Sequence, residues 1–229
     1  MQNRGPFSQA TLLPALCDIP PLPALPAVCA RMRSNEALRI HGFCVDLVPY
    51  RRQHVATYHA WMQRDELLDS TASERLTLEE EYENCRSWHE DEGKCTFILL
   101  AAERMVGDVN LFLGVDDDPS AAEIEVMVAE PGARRSGCAV EALTLLQTWA
   151  WGRLGVRRFV AKIGCSNAAS LQLFRKLGYT HASTSQVFQE ETLELVLQGG
   201  DSEREAALDG LRTSAVTDDD PLGVPASVV

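Results

Sequence analysis

The sequence predicts an α/β domain in which a mixed, mostly antiparallel sheet is flanked by helices. Three observations predict it. Short runs of alternating apolar and polar residues recur along the chain, as half-buried strands require. Helical apolar spacing separates some of those runs. One unit, residues 123–151, reads as strand, polar turn and long helix.

The elements follow in order. Phe43 to Val48 alternates and makes a first strand, closed by Pro49. Helical patterns occupy about 51–64 and 77–92, the second opened by Thr77-Leu78-Glu79-Glu80 with capping-box spacing. Thr96 to Ala102 and Met105 to Val115 form a hairpin around a tight Glu103-Arg104 turn. Asp116-Asp117-Asp118-Pro119 reads as a surface loop, since its carboxylates lack calcium-loop spacing. The central strand and helix come next. A strand from Arg158 to Ile163, a helix from about Ala168 to Leu177, and strands near Tyr179–Val187 and Thr192–Leu197 complete the pattern.

The central unit carries the chemistry. Strand residues Glu123-Ile124-Glu125-Val126-Met127-Val128 end at Pro131, which cannot donate to a ladder, and Gly132, which favours a turn. The helix runs from about Ser136 to Arg153, with Ala139, Leu143, Leu146 and Ala150 on one apolar face. Between them lies Arg134-Arg135-Ser136-Gly137-Cys138-Ala139. The first amides of a helix have no intrahelical partner, and the helix dipole is positive there. With small residues at Gly137 and Ala139, a phosphate can approach those amides. Arg134 and Arg135 add guanidinium forks suited to a pyrophosphate.

Glu123 and Glu125 share one face of the strand, opposite Ile124, Val126 and Val128. A carboxylate on a largely buried strand has its pKa raised by desolvation, which suits it to accept a proton. Glu125 lies nearer the strand centre and is the first candidate for a base, with Glu123 second.

Composition bounds the function. At 229 residues with 45% hydrophobic content, the chain suits one domain with tails. The domain is expected at 39–198, between a Pro-rich disordered extension at 1–38 and a disordered acidic tail at 199–229. A formal net charge of −12 argues against a broad nucleic-acid surface. From Asp201 onward there are seven acidic and two basic residues. Prolines and Asp18 interrupt the apolar stretch between Ala10 and Ala30, so neither a signal peptide nor a membrane span is expected. Seven cysteines without a Cys-x-x-Cys pair, and five scattered histidines, suggest no zinc site and no disulfide framework. Reduced thiols and a cytoplasmic protein fit better. His54 and His59 are read as surface or packing residues.

Two signatures occur in order. Arg134-x-x-Gly137-x-Ala139 resembles the acyl-CoA pyrophosphate loop of the GNAT (Gcn5-related) N-acetyltransferases. Downstream, Asn167-Ala168-Ala169-Ser170 through Gly178-Tyr179 is similar to that family's second signature. Leu47-Val48-Pro49-Tyr50, Val106-Gly107-Asp108-Val109-Asn110 and Ala161-Lys162-Ile163-Gly164 resemble its RimJ-like branch. The resemblance covers about residues 40–197. Met32-Arg33-Ser34-Asn35 resembles the start of such proteins, which makes Met32 the expected initiator.

The resemblance implies the GNAT acyl-CoA N-acyltransferase fold, acetyl-CoA as co-substrate and no metal. It implies a pantetheine arm along the backbone of Met127, Val128 and Ala129, a pyrophosphate on 134–139, and Asn167 helping to hold the donor. It implies a protein N-terminal amino group as acceptor, with the termini of α- and β-tubulin as substrate. Two positions depart from the family: Lys162 stands where some ribosomal-protein acetyltransferases carry a glutamate, and Phe174 where many members have a proton-donating tyrosine. Water and Ser170 are then the candidate acids. These departures keep open a catalytically weak CoA-binding, microtubule-associated scaffold. The acidic surface keeps open a small-molecule amine acetyltransferase.

Overall fold

A computed structural model describes residues 35–216. The expected extension up to residue 34, Met32 and the tail beyond residue 216 lie outside the described residues. The strands are β1 (Leu38–His41), β2 (Asp46–Pro49), β3 (Lys94–Ala101), β4 (Arg104–Leu113), β5 (Ala121–Val128), β6 (Arg158–Gly164), β7 (Thr180–Ser185), β8 (Glu190–Val196) and β9 (Arg212–Ala215). They form one sheet in the order β7-β8-β6-β5-β4-β3-β2-β1-β9. Only β5 and β6 run parallel, because the helix between them returns the chain to the same end. The sheet is thus mixed and mostly antiparallel, as the alternation implied.

Helices α1 (Val55–Trp61), α2 (Asp65–Thr71), α3 (Leu78–Glu90), α4 (Cys138–Trp149), α5 (Ala168–Lys176) and α6 (Asp201–Asp209) complete the domain. Strand β3 is buried on both faces, so it reads as an almost unbroken apolar run. Phe97 and Leu99 join the core that holds Leu143, Leu146 and Trp149 of α4. Ile98 and Leu100 join the second core, with Val55, Tyr58 and Trp61 of α1.

Several boundaries differ from expectation. The helix expected over 51–64 ends at Trp61, and a separate α2 follows Arg64, whose backbone is extended. The hairpin turns one residue earlier, at Ala102-Glu103, both with positive φ, so that Ala101 pairs with Arg104. The Thr77 capping box forms: Thr77 Oγ1 accepts from the Glu80 amide at 3.3 Å, and the Thr77 amide donates to Glu80 Oε2 at 2.8 Å.

The largest difference is at the C-terminal end, where α6 and β9 lie within the stretch expected as a tail. Strand β9 pairs along the outer edge of β1, from Leu38–Ala215 to His41–Arg212. Arg204 of α6 donates to the Trp151 and Gly152 carbonyls at 3.0 and 3.2 Å, capping the π-turn (Ala150–Leu154) that ends α4. The edge of β1 and those carbonyls need partners, and the acidic segment supplies them.

A second tie crosses the fold. The Glu141 carboxylate on α4 accepts the amides of Phe43, Cys44 and Val45 at 2.6, 2.6 and 2.9 Å. It fixes the β1–β2 turn onto the helix that opens the candidate site. Glu141→Ala is expected to lower stability by about 2 kcal/mol, because charge-assisted bonds are lost and their donors left unpaired. Urea unfolding of the two proteins measures it.

Candidate active site

Strands β5 and β6 pair only at Ala121–Glu123 with Arg158–Val160. Beyond Glu123 they diverge, although β6 remains fully paired to β8 on its other side. The edge of β5 from Ile124 onward therefore has no partner strand on that side. A cleft of about 590 Å³ opens there, lined by residues of β4, β5, β6 and α5 and by Tyr58, Trp88 and Phe188.

At the C-terminal end of β5 the chain turns into α4. Arg135 has φ +62 and Gly137 φ +96, both left-handed. Gly137 is the N-cap, and no side chain caps the helix. A Cβ placed on Gly137 would meet nothing within 4 Å. Among the described residues, the amides of Arg135, Ser136, Gly137, Cys138 and Ala139 have no acceptor. Ser136 Oγ turns away, onto the Ala133 carbonyl at 2.6 Å and the Cys138 sulfur at 2.9 Å. This corner is a set of bare donors at a positive helix end, the arrangement that binds a diphosphate.

The two arginines part company. Arg134 is engaged: its Nε donates to the Val128 carbonyl at 3.0 Å and its Nη2 pairs with Glu66 at 3.0 Å. Arg135 is exposed and has no hydrogen-bond partner among the described residues, so it is the guanidinium open to an anion. Expected backbone contacts need a similar correction. The Ala129 amide bonds the Val106 carbonyl at 2.8 Å, and its carbonyl accepts from Arg64. With the Val128 carbonyl held by Arg134, the open edge of β5 is at Ile124–Met127. Asn167 caps α5, its Oδ1 accepting from the Ser170 amide at 3.1 Å, and it lines the cleft.

The floor of the cleft is a set of sheet rungs. On one, Lys94, Phe112, Glu123 and Val160 stand in register across β3 to β6, at the point where β5 and β6 separate. On the next, Thr96, Asn110 and Glu125 align, and on the third Ile98, Asp108 and Met127. Glu123 binds Lys162 Nζ at 2.6 Å. Glu125 has no hydrogen-bond partner among the described residues. It is more open to solvent than the buried-strand reading implied, because the parting of β5 and β6 leaves its face of the strand on the cleft. The cleft walls still desolvate it, and with the neighbouring Glu123 charge they raise its pKa, against the opposing pull of Lys94 and Lys162.

Asp108 is the residue that sequence reasoning missed. It is 2% exposed, yet lines the cleft. Asn110 Nδ2 donates to its Oδ2 at 2.7 Å and the Tyr58 hydroxyl reaches the same oxygen at 3.5 Å. Its Oδ1 is buried without a partner among the described residues. Burial pushes its pKa up to about 7; the charge on Glu125 adds to this, while bonds from Asn110 and Tyr58 and the Lys94 charge oppose it. The available signal was the polar pair Asp108-x-Asn110 in a strand whose other interior residues are apolar and buried. Phe174 packs edge-on against Tyr179 with centroids 4.9 Å apart, and the Tyr179 hydroxyl accepts from Gln147 Nε2 at 2.5 Å. Neither ring offers the cleft a phenol.

A sheet splayed between its parallel strands, with bare helix amides after β5 and carboxylates on the cleft floor, can hold a diphosphate-bearing donor beside a proton acceptor, as an acyl-carrying transferase requires. The acetyltransferase (GNAT) domain family matches residues 45–180, more than half of the sequence. The chain belongs to the GNAT acetyltransferase family. Within it, an N-acetyltransferase 9-like protein of Nematostella vectensis is 48% identical over 174 residues, covering 71% of this chain and 88% of that protein. Alpha/beta-tubulin-N-acetyltransferase 9 of Mus musculus is 47% identical over 178 residues, covering 72% and 74%. Among solved structures, the RimL ribosomal L7/L12 alpha-N-protein acetyltransferase shares the fold with a TM-score of 0.61 at 17% identity, over 69% of this chain and 95% of that one. No helix among the described residues is long and apolar enough to cross a membrane.

Proposed function

We propose that the protein transfers acetyl from acetyl-CoA to the N-terminal amino group of a protein, the termini of α- and β-tubulin being the acceptors. The family and the names of the relatives support the reaction and the acceptor. One observation carries the donor site: five consecutive unpartnered amides at Arg135–Ala139, beside a strand edge left open at Ile124. The diphosphate rests on those amides with Arg135 beside it. The pantetheine arm runs back along β5, spanning roughly five residues of extended strand, and brings the thioester near Glu125. RimL has been solved with coenzyme A, and the Vibrio cholerae spermidine N-acetyltransferase with CoA and spermine.

Glu125 takes the proton of the attacking amine, since it alone of the two strand carboxylates is unpaired. Glu123, tied to Lys162, holds the narrow end of the cleft. The charge on Glu125 in turn disfavours ionisation of the buried Asp108, which keeps its proton more readily than an ordinary aspartate. The departing thiolate takes its proton from water in the cleft. The cytoplasm is the compartment where tubulin and acetyl-CoA meet, and the five described cysteines are free thiols.

The test is transfer of labelled acetyl to tubulin-terminus peptides by wild type, Gly137→Ala and Gly137→Trp. Both substitutions bear a similar backbone strain of about 1–2 kcal/mol at positive φ. Only the indole fills the open space above the amides. Gly137→Ala is expected to keep CoA affinity within about tenfold, whereas Gly137→Trp loses at least about 100-fold, or some 2.7 kcal/mol. Equal affinities for both would overturn the donor site. Peptides left unacetylated while polyamines are acetylated would move the acceptor to a small amine.

A further inference from the structure

We propose that the enzyme acetylates itself at Lys94, whose side-chain amine lies within the acceptor cleft. The inference rests on the transferase reading above. The chain has three lysines, Lys94, Lys162 and Lys176. Lys162 is exposed and paired with Glu123, and Lys176 is exposed at the end of α5. Lys94 differs from both. It starts β3 on the rung where β5 and β6 part, and its side chain lies against β4, with Nζ 4.6 Å from the centroid of Phe112. Nζ also lies over the ring of Trp88, 3.1 Å from its centroid. No carboxylate comes within ion-pair distance of Nζ among the described residues.

The charged groups facing Lys94 are Glu125 of β5, Asp108 of β4 and Asp91 after α3, and all three favour its charge. Burial outweighs them and lowers its pKa to about 8. A far larger fraction of Lys94 is therefore neutral near pH 7.5 than for an ordinary lysine. It is a nucleophilic amine held in the same cleft as the unpaired Glu125.

The step is balanced with acetyl-CoA as the only co-reactant. The Nζ lone pair attacks the thioester carbonyl, the new N–C bond forms and the C–S bond breaks. The coenzyme A thiolate leaves with the electron pair. The proton lost by Nζ passes to Glu125 and on to solvent, and the thiolate is protonated from water. Lys94 becomes a neutral acetamide beside Trp88 and Phe112. That removes a cation from the cleft and fills space an acceptor would use, so the modification limits turnover.

The experiment incubates the full-length protein with isotopically labelled acetyl-CoA, with and without a tubulin-terminus peptide, and maps the label by mass spectrometry. The expected result is one acetyl group on Lys94 at a first-order rate independent of protein concentration. Glu125→Gln is expected to slow it at least about 100-fold, while the slow chemical labelling of Lys162 and Lys176 is unchanged. Peptide acetylation with Lys94 left unlabelled would overturn the inference and leave the transferase reading standing. Equal labelling of the three lysines, indifferent to Glu125→Gln, would also overturn it. If neither peptide nor Lys94 is labelled, both readings fall together.

Discussion

Glu125→Gln is expected to lower kcat for peptide acetylation by about 100- to 10,000-fold with little change in the affinity for CoA. The substitution keeps the shape of the side chain and removes the ability to take a proton. Glu125 sits unpaired on the floor of the cleft, opposite Asn110, with its pKa raised first by desolvation and then by Glu123. Below that pKa it is protonated and cannot act, so wild-type kcat/KM should fall as pH drops. The acid limb should lie above the ordinary glutamate value and vanish in the Gln variant. Glu123→Gln should cost much less, because Glu123 is bound to Lys162. Equal losses in both variants, with the acid limb intact, would assign the proton to another group.

Asp108→Asn is expected to stabilise the protein at pH 8 by about 2–4 kcal/mol and to raise the melting temperature by about 5–10 °C. The folded-state pKa of Asp108 is about 7 against an ordinary 3.8. The folded state therefore holds this proton more tightly than the unfolded chain does. Its contribution is most favourable below about pH 4, declines as pH rises towards 7, and levels off above that, the whole change being about 4 kcal/mol. An amide of the same shape cannot ionise, so the variant loses that slope. Oδ1 is a buried acceptor with no partner, and burying an unpaired charge is costly. A carboxylate kept at that cost in a cleft is a candidate functional group, and peptide turnover should fall in the same variant. Melting curves at pH 5 and pH 8 decide the first point. Parallel behaviour of wild type and variant at both would contradict it.

The parts of the fold that were legible in sequence are those governed by local rules. The alternation in 123–128, the stop at Pro131-Gly132 and the helical seam after Gly137 each follow from period and turn chemistry, and each stands within a residue or two of its expected place. The Thr77 capping box is equally local. Strands β1 and β9 were not legible, because each is four residues long and their pairing with one another joins positions more than 170 apart. Averaging charge over 199–229 also concealed the Arg204 cap and Val216, which is 4% exposed. In the site, the donor corner could be read because bare amides follow from a glycine at a helix start. The occupation of Arg134 by Glu66 and the Val128 carbonyl depends on how α2 packs, which no short spacing encodes. Lys94 and Asp108 were hidden for a similar reason. Their importance arises from the register that sets them beside Glu125, while their immediate neighbours in sequence are those of ordinary strands.

The account stands on the diphosphate lying upon the amides that open α4. The most direct measurement is titration of the isotopically labelled protein with coenzyme A, read as backbone amide shifts by NMR. The largest changes should fall on Arg135 through Ala139 and along Ile124–Met127, with Glu141 and the rest of α4 little moved. Saturating coenzyme A that leaves Ser136, Gly137 and Cys138 unshifted would contradict the account.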